Sequence, residues 1–420
     1  MRRLCLSAAL ALAFAFSLSA ADWPRFRGPN GTGVAAGPLP PINPTAPLWK
    51  VGIPGKGAGS PIVVGGKVYL QTAADDGSKR SLLCLDAATG KTEWTAGVPG
   101  RKAPTHHLNT MASSTPASDG ERIYCVWWDG KAVSVHAYDL AGKELWSQPL
   151  GSYQSQHGPG HSPAVYRGKV FVNFDQDGRA EVVALDAKTG AKVWAAPRKP
   201  GKQACYSTPS VLEQPGKPAA VVVVSSYAVD SYDPDTGKVN WHYTINWAPG
   251  ATVLRAVGGP VFADGLVIGH FGQGGGKEQY MVAVRTDGTG DVTATARAWE
   301  VRHGVPYVPC VLARGDYLFW AYDIGGKLYC AEAKSGKAVW DEQVFKKDRG
   351  AVYASPVLVG DQILVISAAG RVAVLKADKE FNEPTMTDLG EKVSASPAVA
   401  DGRVYIRGEK HLFCFGPRMQ

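Results

Sequence analysis

The residues best suited to chemistry are four histidines in two short stretches, Thr105-His106-His107-Leu108-Asn109 and His157-Gly158-Pro159-Gly160-His161. Imidazoles grouped in this way could ligate zinc or copper, or exchange protons near their ordinary pKa of about 6.5. Neither stretch contains a Cys, Asp or Glu, and the loop spacing offers no i, i+4 pair on a helix face. Hydrogen-bonding loop histidines are the simpler expectation, and no metal is assigned to them. Tyr206, Arg255, Tyr307 and Tyr353 each stand a few residues before a proline that heads an apolar strand. His106, His107, Asn109, His157, His161, Tyr206, Arg255, Tyr307 and Tyr353 together form the candidate ligand-binding set. No catalytic residues are assigned, since neither a Gly-x-Ser-x-Gly elbow nor a Cys-x-x-Cys-His haem-attachment sequence occurs.

The elements that must position these residues come from a repeat. Ala184-Leu-Asp-Ala-Lys-Thr-Gly-Ala-Lys-Val-Trp194 is an apolar strand, an Asp-x-x-Thr-Gly turn and a second strand closing on Trp. Related copies end at Trp94, Trp146, Trp241 and Trp340. The acid can cap the turn through its carboxylate, and Gly takes the positive φ that other residues resist. A Trp at a fixed place in each copy offers a large apolar surface to a neighbouring copy. One such hairpin cannot bury its own face, so the copies must stack.

The repeat resembles the tryptophan-docking motif, Ala-x-Asp-x-x-Thr-Gly-Lys-x-x-Trp, of the pyrroloquinoline-quinone-like (PQQ-like) β-propellers. That family includes quinoprotein dehydrogenases and the cofactor-free BamB-type outer-membrane assembly subunit. The resemblance implies an all-β propeller of four-stranded antiparallel blades, and it leaves enzyme and scaffold both open.

A second landmark counts the blades. Prolines heading apolar strands fall at Pro61, Pro116, Pro163, Pro209, Pro260, Pro309, Pro356 and Pro397, an average spacing of 48 residues, which suits four short strands per blade. Eight landmarks predict eight blades. Trp94, Trp146, Trp194, Trp241, Trp299 and Trp340 close the first six, while the seventh has Leu389 near that place. The eighth ends at Cys414-Phe415 without an outer strand, and Leu48-Trp49-Lys50 is an orphan strand carrying the missing Trp. We expect Trp49 to complete the eighth blade and close the ring. Blade 5 is irregular, with Asp287-Gly-Thr-Gly-Asp291 in place of the usual turn.

Residues 1–21 read as a secretory signal: Arg2 and Arg3, an apolar run from Leu4 to Leu18, then Ser19-Ala20-Ala21. Cys5 precedes the apolar run, so a lipobox is absent. The expectation is a periplasmic or secreted monomer without a membrane span. Residues 22–47 form a Pro/Gly-rich extension beginning Trp23-Pro-Arg-Phe-Arg-Gly-Pro, and 48–420 a single propeller domain. This opening is similar to that of many exported PQQ-like repeat proteins and unlike that of the BamB-type subunit. Trp23 and Phe26 are expected to tether the extension, with Arg25 and Arg27 in surface pairs. Cys84, Cys330 and Cys414 share one strand position in different repeats, so the six cysteines after residue 21 are expected to be mostly free and buried.

The whole chain carries 45 Lys plus Arg against 37 Asp plus Glu, a net +8. No long basic block marks a nucleic-acid arm. The connections between blades hold 13 basic residues against five acids (Glu300, Asp341, Glu342, Asp348 and Glu391), and six of the nine histidines. These include His242 and His303 besides the four named above. The sequence thus supports a basic, His/Tyr-rich channel mouth for a protein segment or anionic ligand. The competing reading is that hairpin acids (Asp75, Asp76, Asp129, Asp175, Asp177, Asp323) neutralise it. No cofactor is predicted for such a scaffold. The alternative is a divergent PQQ-dependent dehydrogenase, which by resemblance needs the quinone, calcium and a carboxylate base. The adjacent cysteine pair of the quinoprotein alcohol dehydrogenases is lacking.

Overall fold

The computed structural model describes residues 22–155, 157–199, 205–276, 278–345 and 350–418. The proposed signal segment 1–21, with Cys5, and Asp348 lie outside these.

Eight antiparallel sheets follow one another around a ring. Blade 1 is typical. Its strands Ile62–Val64, Lys67–Ala73, Lys79–Asp86 and Thr92–Pro99 run outward in sequence order. The second and third strands of each blade are nearly continuous buried apolar runs, because neighbouring sheets cover both of their faces. The outermost strands alternate between exposed and covered residues.

The repeat turn works through contact between blades. In blade 3, Asp186 Oδ1 accepts the N–H groups of Lys188 and Thr189 at 3.0 and 2.8 Å and the Thr189 hydroxyl at 2.8 Å. The threonine's hydroxyl and N–H bonds hold that carboxyl below its usual range. Gly190 then turns at φ 75°, and a Cβ there would lie 2.6 Å from the indole of Trp146 in blade 2. The indole N–H of Trp146 donates to Ala187 O at 3.1 Å. The arrangement recurs from Trp49 to Ala87, Trp94 to Leu140, Trp194 to Pro234, Trp299 to Ala333 and Trp340 to Asp378, over 2.9–3.2 Å.

Two departures have physical reasons. Blade 5 lacks the ordinary turn, and its Gly290–Asp291 instead pairs in parallel with Trp241 and His242, adding a fifth strand to blade 4. Blade 7 has no Trp. Its outer strand Thr385–Asp388 precedes blade 8, whose outer strand comes from the opposite end of the chain, so no glycine turn is present for an indole to cover.

That outer strand is Trp49–Gly52, paired with His411–Phe415. The ring is tied further by a belt of hydroxyls at the inner strands. Ser60 N–H donates to Thr115 Oγ1, Thr115 N–H to Ser162 Oγ, Ser355 N–H to Ser396 Oγ and Ser396 N–H to Ser60 Oγ, all at 2.9–3.0 Å. Cys310 holds the corresponding place in blade 6 and donates its N–H to Ser355 Oγ at 3.0 Å.

The extension behaves differently from the surface tether expected. Residues 23–35 cross the end of the channel and bond to the inner strands of five blades. Trp23 pairs with Val63, Pro24 O accepts from Ser118 N–H, Arg25 donates to Pro209 O, Arg27 donates to Val311 O at 2.7 Å, and Val34–Ala35 pairs in parallel with blade 7. Arg25 and Arg27 are 5% and 2% exposed, so they are buried anchors and not members of surface pairs. All six cysteines within the described residues are free and buried.

Trp194 is 8% exposed and fills the gap between blades 3 and 4. Trp194→Ala should lower the unfolding free energy in urea by about 3 to 5 kcal/mol through the cavity it leaves. A loss below about 1 kcal/mol would show that indole packing does not hold the blades together.

Candidate functional site

The connections from each outer strand to the next inner strand converge at one end of the ring, together with the hairpins between second and third strands. They enclose an open cavity of about 580 Å³. Phe26 of the crossing segment lines it from the opposite end of the channel.

His106, His107, Asn109, His157, Tyr206, Arg255, Tyr307 and Tyr353 all line this cavity. His161 does not. It is fully buried behind the wall, with Nε2 3.0 Å from Asp175 O and its ring against Tyr153 and Tyr206. Burial lowers its pKa to about 4, so it stays neutral and supports the wall without contacting a ligand. His242 and His303 also lie outside the lining.

The remaining histidines pack against one another in tilted and edge-on arrangements. The rings of His106 and His107 are 4.1 Å apart and those of His106 and His157 4.6 Å. Among the described residues no group of three or more His, Cys, Asp or Glu is arranged to hold a metal ion. His106 is held below its usual pKa by burial, then by His107 and Arg255. Asn109 acts as a clamp between the two loops: its Nδ2 donates to the carbonyls of His157, Gly158 and Pro159 at 2.7, 3.2 and 3.2 Å.

Charge follows the neutralising reading at the rim and the basic reading farther in. At the rim, connection bases meet acids: Lys56 with Asp75 at 3.6 Å, Arg101 with Asp129 at 3.9 Å, and Arg302 with Glu300 at 3.4 Å. Arg198 is buried against Asp175 and Asp230 at 3.5 and 3.1 Å. Among the described residues, positive charge without a carboxylate partner sits deeper, on Arg25, Arg255 and Arg407. Arg407 donates to Gly59 O at 2.7 Å and Gln71 O at 2.9 Å, and burial lowers its pKa to about 9. Arg25 is brought to about 10 by burial and by Arg27. Both therefore keep their charge at neutral pH. Arg255, 7% exposed, donates to the Tyr307 hydroxyl at 3.3 Å and has a buried Nε with no partner. Arg27 differs, facing the Cys310 thiol. Burial pushes that thiol up, but Arg27 and His270 bring it down to about 6.

Sequence reasoning missed three parts of the lining. Phe26 arrives through the crossing segment, and Gln273 to Gly276 through the blade 5 hairpin. Asp323 belongs to a hairpin and not to a connection, yet it is the one carboxylate among the described lining residues. It accepts the N–H groups of Tyr307 and Val308 at 2.9 and 3.1 Å, while burial raises its pKa to about 7.

The geometry is that of an eight-bladed β-propeller with a blind, aromatic, arginine-containing cavity among its described residues. The chain matches the family model described as "Outer membrane protein assembly factor BamB" over residues 43–155, 100–300 and 288–381, and it belongs to this family of PQQ-like β-propellers. It is 23% identical to the outer membrane protein assembly factor BamB of Burkholderia pseudomallei over 389 residues, 90% of each chain. It is 28% identical to the quinohemoprotein alcohol dehydrogenase ADH IIB of Pseudomonas putida over 282 residues, 63% of this chain and 40% of that one. The chain thus spans well under half the length of that dehydrogenase. Among solved structures, BamB from Moraxella catarrhalis superposes with a TM-score of 0.61 at 13% identity, covering 89% of this chain and 98% of that one. The quinohemoprotein alcohol dehydrogenase of Comamonas testosteroni gives 0.66 at 16%, covering 95% and 81%. These likenesses concern the fold.

On the outer strand of blade 4, His242 Nδ1 is bonded to Asp230 and its Nε2 lies 2.9 Å from Thr244 Oγ1. The bond to Asp230 raises its pKa against the opposing effect of burial. A raised histidine stabilises the fold fully below its unfolded pKa of about 6.5, and that contribution is lost as pH rises through the folded value. Urea titrations of wild type and His242→Gln should therefore differ most near pH 5 to 6 and converge at alkaline pH. A constant difference would show that His242 is not held protonated.

Proposed function

We propose that this protein is an exported, non-catalytic binding propeller whose cavity takes an anionic ligand or an acidic protein segment. The supporting observation is Arg255, a buried guanidinium in the cavity wall that has no carboxylate partner, and no partner for its Nε, among the described residues. Arg25 and Arg407 add charge of the same sign nearby, where low polarizability strengthens its reach. Phenols of Tyr206, Tyr307 and Tyr353 supply hydrogen-bonding groups on apolar bodies, a mixture suited to a small, mainly apolar site with a few fixed polar contacts. The periplasm or exterior is the proposed location. Among the described residues no helix is long and apolar enough to cross a membrane.

One observation favours a second reading, a quinone-dependent dehydrogenase: Asp323 is a cavity carboxylate with a pKa near 7, suited to accept a proton. A flat tricarboxylate quinone suits Arg255 and the cavity's volume. The calcium that would accompany it suits the cavity poorly, because such an ion takes several oxygen ligands and Asp323 is the single lining carboxylate, already turned on two N–H groups. We therefore place binding ahead of redox chemistry.

Calorimetry with pyrroloquinoline quinone and with benzene-1,3,5-tricarboxylate, each with and without calcium, separates the two. The binding reading expects both anions to bind without calcium and no dye reduction with alcohols. Calcium-dependent binding of the quinone alone, with dye reduction, would overturn it. Ionisation of Asp323 puts negative charge in the wall, so anion affinity should fall as pH rises through about 7. Asp323→Asn should flatten that fall; an unchanged pH profile would remove Asp323 from the account.

A further inference from the structure

We infer that the occupant of the cavity is the C-terminal end of a partner protein, entering as a single extended strand with its terminal carboxylate on Arg255. The inference rests on the anion-binding reading and narrows it.

Four observations carry it. The crossing segment closes the far end of the channel with Phe26, so nothing threads through and whatever enters must present an end. The backbone of Arg255 is zipped to Gly272 by two N–H···O bonds of 3.0 Å, which places the guanidinium at the foot of the Gln273 to Gly276 hairpin. There Gly274 and Gly275 face open space: a Cβ on either would meet no atom within 4 Å. Such a bare wall lets another main chain come close, which suits a peptide and offers little to a ligand without amide groups. Finally, Leu108, from the connection into blade 2, and Ile324, from the blade 6 hairpin that holds Asp323, are exposed at 43% each and belong to the lining. Large apolar side chains left in water at a rim suit an occupant whose body continues outside the cavity.

A chain terminus meets these conditions with one strand. It carries a carboxylate able to take a charge-assisted bond from the Arg255 guanidinium that lines the cavity. A returning loop would bring a second strand, whose N–H and C=O groups would also need partners inside a blind cavity. The residues before the terminus would run along Gly274 and Gly275 and leave past the apolar rim.

The test uses the full-length protein against two hexapeptide libraries with randomised C-terminal halves, one ending in free carboxylates and one amidated. Selected peptides are then measured by fluorescence polarisation. Preferential capture of free-acid peptides with apolar last residues, with amidation weakening affinity at least about tenfold, is the expected result; a charge-assisted bond of roughly 1.5 to 3 kcal/mol implies that factor. Arg255→Gln, checked for an unchanged melting temperature, should abolish the preference. The comparison of free acid with amide on the wild type decides the question even if that variant fails to fold. Equal capture of amidated peptides carrying internal Asp or Glu would overturn the chain-end proposal while leaving the anion site standing. Binding of benzene-1,3,5-tricarboxylate with no peptide captured from either library would also overturn it, in favour of a small free carboxylate. Failure of every anion would remove both the proposal and the reading beneath it.

Discussion

A ring of separate sheets is stable only if something fastens the first sheet to the last, and here a single stretch near the N-terminus does so. Trp49–Gly52 becomes the outer strand of blade 8, and the residues before it cross the channel and bond to five blades. Each backbone group in that crossing must find a partner away from water, and the free groups on the inner strands provide them. The same segment therefore closes the ring and converts an open channel into a cavity with one entrance. The site owes its shape to this closure more than to any loop at its rim.

The electrostatics follow from the same packing. Guanidinium groups at the crossing segment and between blades 8 and 1 donate to main-chain carbonyls, which neutralise no charge. Bases at the rim do meet hairpin acids. The weakly polarizable walls focus the field of these interior charges into the open cavity. Arg255 stands where that field meets phenols and bare glycine backbone.

The fold was legible in the sequence because its determinants are local and repeated. An Asp cap, a glycine with positive φ and a Trp lie within one turn, and proline spacing counts the blades. Even blade 8 could be read, since an orphan Trp49 strand faced a blade lacking one. The site was legible only in part. Most of its lining falls in the blade connections, where short sequence distance to the proline landmark places a side chain near the axis. Phe26, Arg25, Arg27 and Asp323 could be named in the sequence but not assigned to the site, because long-range packing brings them to it. His161 misled for the opposite reason: it shares a loop with His157, yet the chain turns it into the core within four residues.

The central claim is that the channel is a blind anion site built on Arg255. Anomalous diffraction from crystals soaked in an iodinated aromatic carboxylate tests it directly. The account predicts iodine inside the cavity, with the carboxylate on the Arg255 guanidinium and the ring above Phe26. Iodine confined to the outer surface, or unchanged in the cavity of Arg255→Gln, would contradict it.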